Sequence, residues 1–291
     1  MPNPWFSKKE KAVTAPGRAF IKMHGLRNDF VITDGRDAPF TPSRSQIITI
    51  CDRHEGVGAD ELLIVNPPKT RGTYAYVRII NPDGREVEAC GNASRCVGWL
   101  LLKEAGLDQI RIETLGGILT CTMAGDKQVS VEMGKIRAGW RDIPLSKEMD
   151  TLHLGIESGD LKDPVGMNIG NPHAVFFVDD LEKTDLAAHG KYLQTHALFP
   201  EEANIGAAQI LDSDTMKLDV WERPGNMTTA CGTGACVAVA AARRRGLTDK
   251  NRMTVIMPAG SVDIEILSDN LAVMTGPVDI CFTGYLDASA G

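Results

Sequence analysis

Ala-Cys-Gly occurs twice in this chain, as Ala89-Cys90-Gly91-Asn92 and as Ala230-Cys231-Gly232-Thr233, 141 residues apart. In both places a polar stretch gives way to an apolar one. Cys96-Val97-Gly98-Trp99-Leu100-Leu101-Leu102 follows the first, and Cys236-Val237-Ala238-Val239-Ala240-Ala241-Ala242 follows the second. Each triplet reads as the start of a helix, where peptide N–H groups lack partners and the dipole is positive. A thiol there is biased toward thiolate, so each cysteine is a candidate base or nucleophile. Matched positions in two half-chains predict two thiols facing each other across one small substrate.

Inverting a carbon that bears a proton means removing it from one face and delivering one to the other. Two groups that start in opposite protonation states solve that geometry. Cysteine suits the task because its ionisation lies within tuning distance of neutral pH. The carbanion of an amino acid places charge on its carboxylate, and two helix N-termini would supply N–H donors there. Gly91 and Gly232 allow close approach, and Asn92 and Thr233 add side-chain donors. Glu222 could take an ammonium and Arg223 a carboxylate, while Asn28, Asn81, Asn171 and Asn204 could orient either. No Gly-rich phosphate loop is present, and the chemistry requires no organic cofactor.

A single cysteine at a helix start is more often a small core residue, so it is the repetition that carries the argument. Cys96, Cys236, Cys51, Cys121 and Cys281 read as packing. Cys51-Asp52-Arg53-His54 resembles half a metal site, but no second ligand pair has matching spacing, so no metal is expected. His173, inside Gly170-Asn171-Pro172-His173, is either a loop hydrogen-bonder or part of the site, and its neighbour Asn171 favours the site.

The elements that must position these groups repeat as well. Met23 to Asn28, followed by Phe30-Val31-Ile32, echoes Met167 to Asn171, followed by Ala174 to Val178. Thr114 to Leu119 echoes Met257 to Val262, and Val131-Glu132-Met133-Gly134 echoes Val273-Met274-Thr275-Gly276. The offsets stay between 141 and 144 residues. Each half reads as strand, helix, strands, Cys-led helix, strands. The expected helices cover 43–54, 92–105, 185–196 and the segment led by Cys231, with Ile47, Ile48 and Cys51 on the inner face of the first. Strands are expected over 61–65, 74–80, 110–112, 117–123 and 128–133, then 209–211, 217–221, 252–257, 262–266 and 271–274. Short strands outnumber helices, so the class is α+β. Arg243-Arg244-Arg245 falls in a last helical turn before Gly246, where cations complement the dipole.

A length of 291 residues, 43% hydrophobic and 24% charged residues describe a globular chain with a real core. The net charge of −7 and the lack of a basic stripe argue against nucleic-acid binding. No apolar run reaches membrane-spanning length, and the first residues lack a secretory h-region. Seven cysteines without tight spacing fit a reducing cytoplasm better than a disulfide framework.

MHGLRNDF (23–30), CDRHEGVGADELLIV (51–65), NPDGREVEACGNASRC (81–96), GNPHAV (170–175), the Asn204 region, ERPGNMTTACGTGA (222–235) and MTGP (274–277) together resemble the diaminopimelate epimerase family. The resemblance spans about Phe20 to Tyr285. It implies two homologous domains related by a pseudo-two-fold axis, each a barrel-like sheet wrapped around a central helix. The expected division is residues 1–18 as a flexible extension, 19–134 with 277–291 as the Cys90 half, and 135–276 as the Cys231 half. It implies cofactor-independent epimerisation of LL- to meso-diaminopimelate, with Cys90 and Cys231 as acid/base thiols. Gly91 with Asn92, and Gly232 with Thr233, would hold the reacting carboxylate. Asn28, Glu222 and Glu61 would surround the ammonium, and Asn81, Asn171, Asn204 and Arg223 would bind the distant end, with His173 close by. The partner would be a small amino acid, neither nucleic acid nor membrane, and a homodimer is compatible with the sequence. The chain departs from the family pattern at Arg27 (usually Gly), Glu61 (often Gln), Pro224 to Met227 (usually Gly-rich) and Ala259 (often Gly). Two other readings stay open: an epimerase or racemase of another amino acid, and a non-enzymatic thiol redox or metal-binding protein.

Overall fold

The computed structural model of the chain describes residues 17–88, 90–223 and 225–287. The expected N-terminal extension lies almost wholly outside the described residues. The chain divides into two compact units, one running to Val131 and resuming at Gly276, the other comprising Glu132–Thr275.

The first unit opens with β1 (Gly17–Gly25) and β2 (Asn28–Asp34), followed by α1 (Arg44–Cys51), β3 (Glu61–Asn66), β4 (Ala75–Ile80) and β5 (Glu86–Val87). Then come α2 (Gly91–Ala105), β6 (Gln109–Thr114), β7 (Gly117–Gly125) and β8 (Gln128–Lys135), the last of which runs past the boundary. The second unit has β9 (Glu157–Ser158), β10 (Leu161–Lys162), β11 (Val165–Asn168), β12 (Pro172–Phe177), α3 (Leu186–Gln194), β13 (Asn204–Ile210), β14 (Thr215–Glu222) and β15 (Asn226–Thr228). It closes with α4 (Gly232–Arg244), β16 (Arg252–Met257), β17 (Gly260–Ile266) and β18 (Leu271–Pro277). A final strand, β19 (Asp279–Asp287), pairs antiparallel with β1 and so belongs to the first unit.

The pairing pattern is the same in both units. β1–β2 and β11–β12 are antiparallel, β2–β3 and β12–β13 parallel, and β3–β4 and β13–β14 antiparallel. β4–β6 and β14–β16 are parallel, and antiparallel hairpins follow in each. The duplication seen as residue echoes is therefore a duplication of strand order and direction. The unit that repeats is a mixed sheet around one Cys-led helix.

Those two helices are central because they are apolar on all sides. Every residue from Asn92 to Leu102 in α2 is buried, as is every residue from Gly234 to Ala242 in α4. A helix with no polar stripe has to be enclosed, and the strands of its own unit enclose it. Alanines at 235, 238 and 240–242 let backbone come close to α4. Gly98 does the same for α2, since a Cβ there would stand 2.8 Å from Cys121 Sγ.

The outer helices differ in detail from expectation. α1 is shorter than predicted and buries Ile47, Ile50 and Cys51, an i, i+3, i+4 set, while Ile48 is exposed. β13 begins at Asn204, five residues before the predicted strand. Its Gly206-Ala207-Ala208 run carries no β-branched signal, and it is a strand because it is sandwiched, not because of propensity. Cys281, expected in the core, is exposed on β19, whereas Cys51, Cys96, Cys121 and Cys236 are buried. Among the described residues no helix is long and apolar enough to cross a membrane.

Candidate active site

In each unit the polar residues singled out from sequence collect at the end of the sheet where the Cys-led helix begins. Asn28 starts β2, and Asn171 immediately precedes β12. Glu61 and Asn204 start the parallel neighbours β3 and β13. Glu222 ends β14 and Asn81 follows the end of β4. The registers Leu62↔Ile80 and Ile205↔Trp221 leave Glu61 and Asn204 one residue beyond the last paired rung, on the side of Asn81 and Glu222 respectively.

Cys90 and Cys231 are the N-cap residues of α2 and α4, both with extended backbone. Gly91 and Gly232 are the first helical residues. A Cβ at Gly232 would press on the Met274 sulfur at 3.0 Å, so only glycine fits there comfortably. The two thiols then differ in their immediate partners. Cys90 makes no cap hydrogen bond, and its thiol donates to Asn28 Oδ1 at 3.6 Å. Cys231 Sγ instead accepts the Gly234 N–H at 3.3 Å and lies 3.5 Å from Thr233 Oγ1.

Burial pushes both thiols well above their ordinary range, and a carboxylate adds to the shift in each case, Glu61 for Cys90 and Glu222 for Cys231. The N–H groups of Asn92 and Ala93 oppose this at Cys90, and Thr233 and Gly234 oppose it at Cys231. The helix N-terminus was expected to favour thiolate. In this state it is outweighed, because burial penalises the anion and one negative side chain sits beside each sulfur.

Around Cys90, Asn92 Nδ2 donates to Asn28 Oδ1 at 3.1 Å, so one carbonyl receives both the amide and the thiol. Asn28 Nδ2 donates to Asp60 Oδ2 at 2.9 Å, and Arg95 donates to Asn92 Oδ1 at 2.8 Å. Asp60 also holds the exposed Arg53 at 2.7 Å. Asn81 closes the 81–85 turn through its backbone, accepting from Gly84 and donating to Arg85.

Around Cys231, Asn171 Nδ2 donates to Thr233 Oγ1 at 3.3 Å. Asn171 Oδ1 lies 3.1 Å from His173 Nε2, which is 3.3 Å from Asn204 Nδ2. The parallel register His173↔Asn204 makes those two side chains neighbours. Asn204 Oδ1 accepts the Arg223 N–H at 2.9 Å, and the Arg223 guanidinium donates to the Glu201 carbonyl at 2.7 Å. Glu222 Oε1 accepts from Thr228 Oγ1 at 2.8 Å. Burial, with the nearby Arg223 charge, pulls His173 down to about 3, so it is a neutral imidazole at physiological pH. Its Nε2 stands within reach of both asparagines and, being either donor or acceptor, bonds to one of them, and it does not act as a titrating base.

Sequence reasoning missed three residues that hold others in place: Asp60, Arg95 and Thr228. Arg95 had a visible signal, since it is a charged residue three positions after Asn92 and heads the apolar stretch from Cys96 to Leu102. Asp60, in an ordinary-looking loop, and Thr228, at the end of the short strand β15, show their role only once the strands pair.

The family profile described as diaminopimelate epimerase matches residues 20–138 and 165–281. The diaminopimelate epimerase of Phenylobacterium zucineum (strain HLK1) is 46% identical, covering 94% of this chain and 99% of that protein. That of Rhodospirillum centenum (strain ATCC 51521 / SW) is 44% identical, covering 92% of each. Among solved structures, a hydroxyproline epimerase from Agrobacterium vitis superposes with a TM-score of 0.66 at 14% identity, covering 94% of this chain and 92% of that one. A probable proline racemase from Agrobacterium radiobacter K84 gives 0.64 at 13% identity, covering 92% of each. At that identity these two speak for the fold alone. The duplicated sheet, the Cys-led central helices and close relatives along almost the whole length have one reading: the chain belongs to the diaminopimelate epimerase family.

Proposed function

We propose that this chain converts LL-diaminopimelate to meso-diaminopimelate by a two-thiol proton transfer. The observation that carries the reading is the pair of N-cap cysteines, each at the head of an enclosed helix and each beside one carboxylate.

Both sulfurs have N–H groups and a carboxylate beside them, and the contacts that differ, Asn28 at Cys90 and Thr233 at Cys231, favour one assignment of the roles. A sulfur that accepts N–H and O–H groups, as Cys231 does from Gly234 and Thr233, is favoured as thiolate. A sulfur that faces a carbonyl oxygen, as Cys90 faces Asn28, is favoured as thiol. Cys231 then removes the α-proton and becomes S–H, while Cys90 gives its proton to the opposite face and becomes S⁻. The reverse reaction exchanges the roles. The electron pair left on the α-carbon spreads onto the substrate carboxylate, where the N–H groups heading α2 and α4 stabilise it. Glu61 and Glu222 are suited to the substrate ammonium. An ammonium bound there cancels the carboxylate charge that holds each thiol up, so the substrate itself favours formation of the base.

Asn171, His173, Asn204 and Arg223 form the remaining binding set, suited to a second amino-acid end.

The experiment is deuterium exchange in heavy water under reducing conditions with LL-diaminopimelate, followed by NMR. Exchange of the α-proton is expected, and Cys90→Ser and Cys231→Ser should each lower turnover roughly 10²- to 10⁴-fold while staying folded. No exchange with LL-diaminopimelate refutes the assignment, and exchange with another amino acid in its place transfers the reading to a racemase of that substrate. Full activity in Cys90→Ser refutes the two-thiol mechanism.

A further inference from the structure

Four side chains behind Cys90 form a line that begins with a negative charge and ends with a positive one. Asp60 Oδ2 accepts from Asn28 Nδ2, Asn28 Oδ1 accepts from Asn92 Nδ2, and Asn92 Oδ1 accepts from Arg95. An asparagine amide has an acceptor end and a donor end, and a flip exchanges them. Here neither amide can flip. Reversing Asn28 would aim its carbonyl at the Asp60 carboxylate, and reversing Asn92 would aim its NH₂ at the Arg95 guanidinium. The charges at the two ends therefore dictate that an oxygen and not an NH₂ group meets the sulfur of Cys90, 3.6 Å away.

We propose that Asp60 and Arg95 are positioning residues of the acid–base site: they lock the Asn28 and Asn92 amides in one orientation and so hold Cys90 in its proton-donating form. The inference rests on the two-thiol reading above and deepens it. Both end charges are anchored independently of the amides. Asp60 is tied to Arg53 and also accepts the Asp29 N–H at 3.1 Å. Arg95 is fully buried in α2, and Gly25 makes room for it, since a Cβ there would lie 3.1 Å from its guanidinium. The other groups that act on Cys90 are the Glu61 carboxylate from β3, which also favours the thiol, and the N–H groups of Asn92 and Ala93 from α2, which oppose it. A flipped Asn28 would add a donor to the opposing side and remove the acceptor.

The test is Asp60→Asn, read by the pH dependence of Cys90 alkylation with iodoacetamide, with both active-site cysteines followed separately by peptide mass spectrometry. The new side chain can meet Asn28 with either end, so the lock is lost. The alkylation midpoint of Cys90 should move to lower pH by about one unit, the tenfold change that one hydrogen bond is worth. Cys231 should be unmoved, turnover should fall, and Asp60→Glu should restore the wild-type profile. A folded Asp60→Asn protein whose Cys90 profile matches wild type overturns the proposal, since a merely structural role would lower thermal stability without moving one thiol. If the single variant does not fold, Asp60→Asn with Arg53→Gln removes both members of the ion pair and asks the same question. The alkylation profile does not depend on turnover. A wild-type protein without epimerase activity defeats the earlier reading, whereas an unshifted profile defeats this one.

Discussion

The turn that delivers Asn28 to the site carries a removable strain. β1 and β2 are joined by Leu26 and Arg27 alone, with Gly25 paired across to Asn28. Both turn residues have positive φ, 54° and 62°. A two-residue hairpin of this kind requires that conformation at both places, which is why glycine or asparagine is favoured there. For other L-residues it costs roughly 1–2 kcal/mol. Leu26 is only 6% exposed and has a packing reason to stay. Arg27 is exposed, and its guanidinium has no hydrogen bond or ion pair among the described residues. Arg27→Gly should therefore release the strain at one position. Against that stands the wider unfolded ensemble of a glycine, about 0.4–1 kcal/mol. The net expectation is a gain of roughly 0.5–1 kcal/mol, or about 1–3 °C in Tm for a chain of this size. Urea denaturation at fixed pH measures it as a higher midpoint with an unchanged slope. A variant less stable than wild type would refute the reasoning, because it would mean that the arginine side chain contributes more than its backbone costs.

Thr228→Val removes the hydroxyl that holds Glu222 without changing the shape of the side chain. A hydrogen bond to a charged group is worth about 1.5–3 kcal/mol. Steady-state kinetics should show KM raised by about tenfold or more, and an unchanged kcat/KM would show that Glu222 is placed by other contacts. The ion cluster behind Asn28 predicts acid sensitivity. Although burial pushes the Asp29 carboxyl up, its ion pairs with Arg53 and Lys22 override this and hold it well below the usual carboxylate range. A carboxyl depressed by folding contributes stability above its unfolded value, near 4, and that stability is lost as pH falls below it. Lys22→Met should cost about 1.5–3 kcal/mol at pH 7, the worth of one charged hydrogen bond, since Asp29 keeps Arg53. Its urea midpoint should also change less between pH 7 and pH 3 than that of wild type, and a parallel loss in both proteins would show that another group carries the acid dependence.

The parts of the fold that were legible are those in which local pattern and tertiary role coincide. The Cys-led helices declare themselves because an all-apolar run after a polar loop has to be enclosed, and both central helices are. The strands from Glu61, Thr215, Arg252 and Leu271 carry enough β-branched or alternating residues to be seen. β13 was shortened because its Gly and Ala residues make it a strand only in company. The two-residue strands β9 and β10 left no pattern at all. One member of the inner face of α1 differs from expectation, with Ile50 buried and Ile48 exposed. The predicted site residues fall into two connected groups, save Asn81, whose recorded bonds are backbone only. The balance of forces on the thiols is the part least visible in the sequence. A helix N-terminus is visible in sequence, but the burial and the carboxylate that outweigh it are tertiary facts.

Duplication explains how a chain acquires two thiols in equivalent places, but epimerisation needs them to be unequal. The shared architecture cannot supply that difference, because the N-cap position, the following glycine, the burial and the adjacent carboxylate are common to both units. The inequality has to come from side chains that diverged after the duplication and that touch sulfur directly. Two such places exist. In the first unit Asn28 turns a carbonyl toward Cys90, and charges at Asp60 and Arg95 fix that choice. In the second unit Asn171, at the matching place in the strand order, turns its NH₂ toward Thr233, which leaves the hydroxyl hydrogen of Thr233 for the Cys231 sulfur. The same amide thus presents opposite ends in the two halves. On the proposed mechanism one half gives a proton and the other takes one, with no change in the fold that carries them.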